Sequence, residues 1–375
     1  MTCARCVMDT SDPQITFDLH GVCNHCTQFE RVTRRAWFPG VDGVVHLEAA
    51  LRNIRRSGRG HKYDCILGLS GGVDSSFLAL RVREWGLRPL VVHVDAGWNS
   101  ELAVANIEAI VRHCKYDLHT HVVDWRAMRG LHLAFLRSGI ANQDVPQDHA
   151  FFASLYHFAV KNGIRYILSG GNIATEGIFP KAWHGSAMDA INLRAIHRQF
   201  GDLPLGSYNT ISWFQYYVGY PLVRRMRTVR PLNFLPYVKA AAVRELVDTV
   251  GYKPYERKHG ESQFTKLFQN HYLPKRFGFD KRRPHFSSLI VSGQMAREEA
   301  LARLREPLYM REELCRDIEY VCKKLGITPL QFDEFMKLPI RHYAEFPNWD
   351  RLHHTVKWIQ GRLGRVLGRR LANYS

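Results

Sequence analysis

The chain has 375 residues, with 46% hydrophobic and 23% charged positions. That is the composition of a folded protein of roughly two to three domains, and it excludes wholesale disorder. No apolar run approaches the ~20 residues of a membrane-spanning helix. The net charge of +17 points to an anionic partner: nucleic acid, a nucleotide, an acidic protein or an anionic membrane surface. The first residues, Met1-Thr2-Cys3-Ala4-Arg5-Cys6, carry no charged-then-apolar signal pattern, so a cytoplasmic location is expected.

Residues 1–30 are Cys-rich and too poor in apolar periodicity to bury a core of their own. Cys3-x2-Cys6 and Cys23-x2-Cys26 flank a segment (Ile15–Asp18, then His20–Val22) that suits a small hairpin. This is zinc-ribbon spacing: two CxxC turns supply four thiolates and close a tetrahedral site. With no position open for water, the expected role is structural. An iron–sulfur cluster or a redox pair is the alternative. His25 lies between ligands as a competitor. Residues 31–60 are basic, with helical spacing at Val44, Leu47, Leu51 and Ile54, and read as a connecting helix.

From Tyr63 the pattern changes. Strands are expected at Cys65–Leu69, Pro89–Val94, His119–Val123 and Arg165–Ser169, and helices at Asp74–Trp85, Glu101–Cys114 and Asp148–Asn162. The alternation predicts an α/β fold with a parallel sheet between helices. Residues 177–235 break the rhythm and gather Tyr208, Trp213, Phe214, Tyr216, Tyr217 and Tyr220, expected to be core more than a stacking surface. Lys239–Val250 reads as a helix. Lys253–His285 is basic and turn-rich (Lys258, Lys266, Lys275, Arg276, Lys281, Arg282, Arg283), suited to a diphosphate, an acidic partner or plain solvent. Helices follow from about 290. Cys315 and Cys322, seven apart, are expected to share a buried helix face. His353–Leu371 reads as a basic amphipathic helix packed on the body, with a membrane surface as the less favoured partner. The expected division is a four-cysteine zinc unit over 1–35, an α/β nucleotide domain over 36–255 with an aromatic insertion at about 177–230, and a basic helical region over 256–375.

Ser70-Gly71-Gly72-Val73-Asp74-Ser75-Ser76 follows a strand and opens a helix. Glycines let the backbone approach phosphates, and the helix N-terminus aims N–H groups at them. Ser70, Ser75 and Ser76 add hydroxyls, and Asp74 suits Mg²⁺. No lysine follows the glycines, so this is not a Walker A loop.

SGGVDSS resembles the PP-loop of the ATP pyrophosphatase superfamily, whose members cleave ATP between the α- and β-phosphates. The resemblance implies adenine beside the end of the second strand (Val94, Asp95), a flanking loop at Gly170, Gly171 and Asn172, and a phosphate-reaching Lys239 after Arg230-Pro231-Leu232. The strings Asp95–Glu101, Asp148-His149-Ala150 and Ser169–Gly177, with the CxxC pair, resemble bacterial N-acetyl sugar amidotransferases of surface-polysaccharide and O-antigen synthesis. Ala96 departs from the asparagine expected there. The resemblance implies conversion of an acetamido group on a UDP-linked diacetamido sugar, a uronic acid, to an acetamidino group with ATP, Mg²⁺ and ammonia. Asp74 and Lys239 are the catalytic candidates for this chemistry, joined by Glu176, placed to bind Mg²⁺ or accept a proton, and by Asp148, which with His149 suits orienting substrate or ammonia or, equally, capping the following helix.

A class II glutaminase needs an N-terminal cysteine, but residue 2 is Thr. None of Cys65, Cys114, Cys315 or Cys322 sits in a Gly-rich nucleophile elbow. The resemblance therefore implies a separate glutaminase and a channel-forming partner, similar to the histidine-pathway pair. The competing reading is a PP-loop tRNA-modifying enzyme of the thiolase kind, which +17 suits but which calls for a cysteine pair near the nucleotide. A non-enzymatic zinc-ribbon adaptor is the third reading; the intact loop argues against it.

Overall fold

The computed structural model describes residues 1–180, 183, 185–255, 260–350 and 352. The helix expected over His353–Leu371, and Lys258, lie outside them.

Five parallel strands form one sheet: β1 (Cys65–Gly68), β2 (Pro89–Asp95), β3 (Leu118–Val122), β4 (Tyr166–Leu168) and β5 (Arg227–Val229), in the order β3-β2-β1-β4-β5. β1 is central: Ile66 lies opposite Leu90 on one side and Ile167 on the other. β1 and β2 are apolar on both faces, as strands covered by helices must be. The sequence pattern does not reveal β5, a three-residue strand that follows the aromatic segment.

The helices are α1 (Asn24–Arg31), α2 (Val41–Ser57), α3 (Val73–Glu84), α4 (Glu101–Cys114), α5 (Trp125–Ser138), α6 (Val145–Lys161), α7 (Ile173–Glu176), α8 (Ala190–Phe200), α9 (Lys239–Val250), α10 (Gln263–Leu267), α11 (Leu273–Phe277), α12 (Arg282–Val291), α13 (Arg297–Leu304), α14 (Arg311–Leu325) and α15 (Pro329–Lys337). α5 was not expected, although Asp124 caps it by accepting from Arg126 N (2.9 Å) and Gly139 ends it at φ +71°. Leu131, His132, Leu133, Ala134, Phe135 and Leu136 are all buried, while Arg126, Arg129 and Arg137 fall together on one face of the helix. The basic stretch 253–285, expected to be turns, contains α10, α11 and the start of α12.

One apolar core, with Ile66, Val92, Leu131 and Phe135, fills the α5, α6 and α8 side of the sheet and takes in Tyr208 and Tyr220. The aromatic segment is thus largely core, with a π-helical turn at Gln215–Val223 and Phe214 exposed. The other core, with Leu67, Val91, Leu78 and Leu246, lies under α2, α3, α4 and α9. A third cluster joins the four N-terminal cysteines to Trp98, Trp183 and residues of α10 to α15.

Cys322 is buried as expected, but Cys315 is exposed. The N-terminal half of α14 meets the body through Leu314 and Ile318 and is only partly covered, full burial coming at Val321, Cys322 and Leu325, so sharing a face with a buried residue does not bury Cys315. The basic stretch is also not a free cationic face. Lys266 pairs with Glu313 (2.7 Å) and Asp317 (2.8 Å), Arg276 donates to Phe335 O (2.8 Å), and Arg282 pairs with Asp280 (2.8 Å).

Candidate active site

β1 is the strand from which the chain winds outward both ways, to β2 and β3 on one side and β4 and β5 on the other. In such sheets the crevice at the strands' carboxyl ends, where the order reverses, is where ligands bind. The Ser70–Ser76 loop sits there. Gly71 has φ +83°, and a Cβ on it would lie 2.8 Å from Ala103 O of α4. Across the crevice, a Cβ at Gly170 would lie 2.8 Å from Ser75 N and 2.9 Å from the Asp74 carbonyl carbon. Both glycines are needed for backbone to press on backbone. Ser75 Oγ donates to Gly72 O (3.1 Å) and lies 3.2 Å from Ser70 Oγ; Gly72 N–H donates to Ser70 Oγ (3.3 Å). Hydroxyls and N–H groups thus converge on the loop. Ser76, expected among them, is fully buried on α3, and its Oγ has no hydrogen-bond partner among the described residues. It does not face the crevice.

Asp74 lies at the start of α3. Tyr237 donates its phenol to Asp74 Oδ1, and Asn172 Nδ2 reaches the same oxygen at 3.3 Å. Burial and the Asp74 carboxylate hold Tyr237 neutral, well above the ordinary phenol range. The Glu176 carboxylate also bears on Tyr237, and its Oε2 lies 3.7 Å from the Cβ position of Gly171. Asp74, Asn172, Glu176 and Tyr237 therefore form one cluster, of which Tyr237 was not foreseen. Asn172 caps α7 through Thr175 N (3.0 Å), which orients the helix that carries Glu176. Lys239 opens α9 two residues after Tyr237, and its N–H donates to Gln294 Oε1 (3.0 Å).

On the other side of β1, Val94 is buried and Asp95 ends β2. Asp95 Oδ1 accepts from Gly97 N (2.7 Å) and Asn99 Nδ2 (3.0 Å). Asn99 Nδ2 also lies 2.9 Å from His93 Nε2, whose ring donates through Nδ1 to Leu69 O (3.0 Å). This relay ties the β2 loop to the start of the glycine loop. Lys324 of α14 joins it by donating to Gly97 O, its ammonium 5.1 Å from the Trp98 ring and 4.8 Å from the Trp125 ring. Neither His93 nor Lys324 was foreseen; an isolated His in a strand and a Lys far down the chain carry no local signal.

α6 begins at Val145, three residues before the expected start, so Asp148 lies inside its first turn. Burial and the Asp144 carboxylate push Asp148 up to about 8, with Lys281 opposing. His149 is a different case: its ring bridges Ala187 O (2.9 Å) and Ile211 N (3.1 Å), and burial lowers it to about 4. It is a buried neutral strut.

The sulfur atoms of Cys3, Cys6, Cys23 and Cys26 all lie within 4.8 Å of one another, and all four residues are buried. Backbone N–H groups point at the sulfurs, including Cys23 N at 3.2 Å from Cys3 Sγ and Met8 N at 3.4 Å from Cys6 Sγ. Hydrogen bonds from Cys26 and Cys6 hold Cys23 down to about 4, while the hydrogen bond with Cys6 pushes Cys3 up to about 12. Four such thiols cannot all ionise without a cation between them, so the set fits a tetrahedral metal. His25 instead pairs with Asp12 (2.6 Å) and does not compete. The knuckle is held by the C-terminal helices. Arg297 donates to Cys3 O (2.9 Å) and Cys6 O (3.1 Å), Arg283 to Val7 O (2.8 Å), and Val7 N–H to Ser287 Oγ (3.2 Å).

Fold and site together define a parallel α/β protein with a PP-loop-type glycine loop at its switch point and a four-cysteine cluster at its N-terminus. Residues 261–360 match the family model described as "LPS biosynthesis protein WbpG-like, C-terminal domain". That match fits the sugar amidotransferases of surface-polysaccharide synthesis that the N-terminal motifs resemble. No curated protein matches the chain. Among solved structures, an NMN synthetase from Francisella tularensis is 13% identical over 80% of this chain and 98% of that one, with a TM-score of 0.34. An NH3-dependent NAD synthetase from Campylobacter jejuni is 11% identical over 58% and 100% of the two chains, with a TM-score of 0.29. An NAD+ synthetase from Burkholderia pseudomallei is 18% identical over 60% and 95%, with a TM-score of 0.28. No described helix is long and apolar enough to cross a membrane.

Proposed function

We propose that the protein is an ATP-dependent, AMP-forming amidotransferase of lipopolysaccharide biosynthesis, acting on an acetamido group of a UDP-linked diacetamido uronic acid of O-antigen type. The observation that carries the reading is the pairing of the glycine loop with a cluster of Asp74, Asn172, Glu176 and Tyr237 at the switch point. The WbpG-like match over residues 261–360 supports the pathway.

The acceptor's amide oxygen attacks the α-phosphorus of ATP, and pyrophosphate leaves, giving an O-adenylyl imidate. Ammonia then attacks the imidate carbon. AMP departs with the former amide oxygen, a proton is released, and the amidine remains. An amide oxygen is a poor leaving group, so adenylation is the step that makes substitution feasible. The enzyme's contribution is positioning and charge neutralisation. Loop N–H groups and Lys239 would face the departing pyrophosphate. Asp74 and Glu176 would hold Mg²⁺, and Tyr237 and Asn172 would fix the Asp74 carboxylate. Asp95 and the end of β2 would flank the adenine. Asp148 would contact the incoming ammonia or the acceptor. Ammonia would come from a separate glutaminase through a channel-forming partner. The four N-terminal cysteines would hold a structural Zn²⁺.

Against the tRNA-thiolase reading, Cys65 is buried in β1 and Cys114 at the end of α4, so no cysteine pair lines the crevice among the described residues. The test is product analysis of ATP turnover with Mg²⁺ and ammonium, comparing the nucleotide sugar with bulk tRNA. AMP and pyrophosphate formed only with the sugar are expected. AMP formed only with tRNA would move the protein to the RNA-modifying class.

A further inference from the structure

The peptide joining Gly71 to Gly72 is held from one side by two phenols. Tyr252 and Tyr255, just past the end of α9, both donate to Gly71 O at 3.0 Å. A carbonyl oxygen has two lone pairs, and here both are taken. Tyr252 is 2% exposed, so its hydroxyl has no water to turn to. The N–H of Gly72 belongs to the same planar unit and must point the opposite way. That direction is the open side of the loop, where it meets Ser70 Oγ. Gly71 at φ +83° leaves this peptide free to flip as few others are. Without an anchor, a flip would turn a carbonyl toward an incoming phosphate. Tyr252 is part of the core under α3, α4 and α9, Tyr255 packs against it and also hydrogen-bonds Asn106, and neither donates its phenol to Asp74 or to the cysteines.

We infer that Tyr252 and Tyr255 are positioning residues that lock the Gly71–Gly72 peptide with its N–H facing the pyrophosphate portion of ATP. The inference rests on the ATP reading above and extends it to residues that touch no ligand. Because both phenols serve one acceptor, either alone can keep the carbonyl pinned. The two are therefore redundant, and their losses compound instead of adding.

The experiment is calorimetric titration of wild type, Tyr252→Phe, Tyr255→Phe and the double variant with MgATP, inorganic pyrophosphate and adenosine. Each single variant is expected to bind pyrophosphate within about twofold of wild type, and the double about tenfold more weakly, one hydrogen bond's worth of orientation. Adenosine, which lacks phosphates, should bind all four proteins alike. A double variant that binds pyrophosphate like wild type overturns the inference, as does an equal loss for adenosine. Amide exchange at Gly72 in the double variant reads the lock directly, and protection in β1 and α3 reads whether that variant is folded. Faster exchange there, with β1 and α3 unchanged, is expected, and unchanged exchange contradicts it. If wild type binds neither ATP nor pyrophosphate, the nucleotide reading itself falls, and the lock with it.

Discussion

Asp74 receives hydrogen bonds from two side chains on different segments, Tyr237 and Asn172, and an oriented carboxylate at a phosphate loop is poised to hold a cation. Asp74→Ala should lower AMP formation about a hundredfold or more while leaving melting temperature and zinc content near wild type. Near-normal turnover would remove the loop from the mechanism. Lys324 acts at longer range. Lys324→Met keeps the stem between Trp98 and Trp125 but leaves Gly97 O without its donor, so KM for ATP should rise about tenfold with kcat little changed, and Lys324→Arg should recover most of the loss. Asp148 gives a pH signature. Its folded-state value is raised to about 8, so its neutral form stabilises the fold below the ordinary carboxylate range, and that stability is lost as pH rises toward 8. Asp148→Asn should flatten this decline. Denaturant melts from pH 4 to pH 8 that fall in parallel for both proteins would contradict the assignment.

At the scale of elements, backbone contact between α3 and the β4 loop constrains the crevice. Gly170→Ala places a methyl 2.8 Å from Ser75 N, and neither backbone can yield without moving the loop. A loss of about 1–3 kcal/mol in denaturant unfolding is expected, with weakened ATP binding. The cysteine knuckle acts as a brace: it grips α12 and α13 through Ser287, Arg283 and Arg297, and α12 in turn holds the α7 region, Ser288 Oγ accepting from Ile178 N (2.9 Å) and Ser292 Oγ donating to Ala174 O (2.8 Å). Cys6→Ser should therefore lose zinc and speed amide exchange in α12 as well as in residues 1–30. Faster exchange confined to residues 1–30 would show that the knuckle stands alone.

For the molecule as a whole, what the sequence made legible follows physical range. The glycine loop, the CxxC pairs and strands β1 to β4 are local patterns, because phosphate cradles, metal knuckles and buried strands are built from contiguous residues. α5 carries legible signals, a cap at Asp124, a stop at Gly139 and an arginine face of Arg126, Arg129 and Arg137, whereas β5 stayed hidden because Arg227-Thr228-Val229 is largely exposed and makes no apolar run. Tyr237, His93, Lys324 and the Tyr252–Tyr255 pair were invisible for another reason: each acts across the fold on a group far away in sequence. The basic stretch 253–285 misled in the same way, since Arg276 and Arg282 spend their charge on carbonyls and carboxylates inside the molecule instead of on an anionic partner.

The proposed chemistry stands on one step: the acceptor's amide oxygen is adenylated and leaves with AMP. That oxygen can be followed. The acetamido carbonyl of the nucleotide sugar is labelled with heavy oxygen, and the label is traced by mass spectrometry during turnover with ATP, Mg²⁺ and ammonium. The label should appear in the phosphate of AMP, in equal amount to an acetamidino product lighter than the acceptor by the difference between oxygen and NH. Unlabelled AMP, or label retained in the sugar, would contradict the adenylation step and the function built on it.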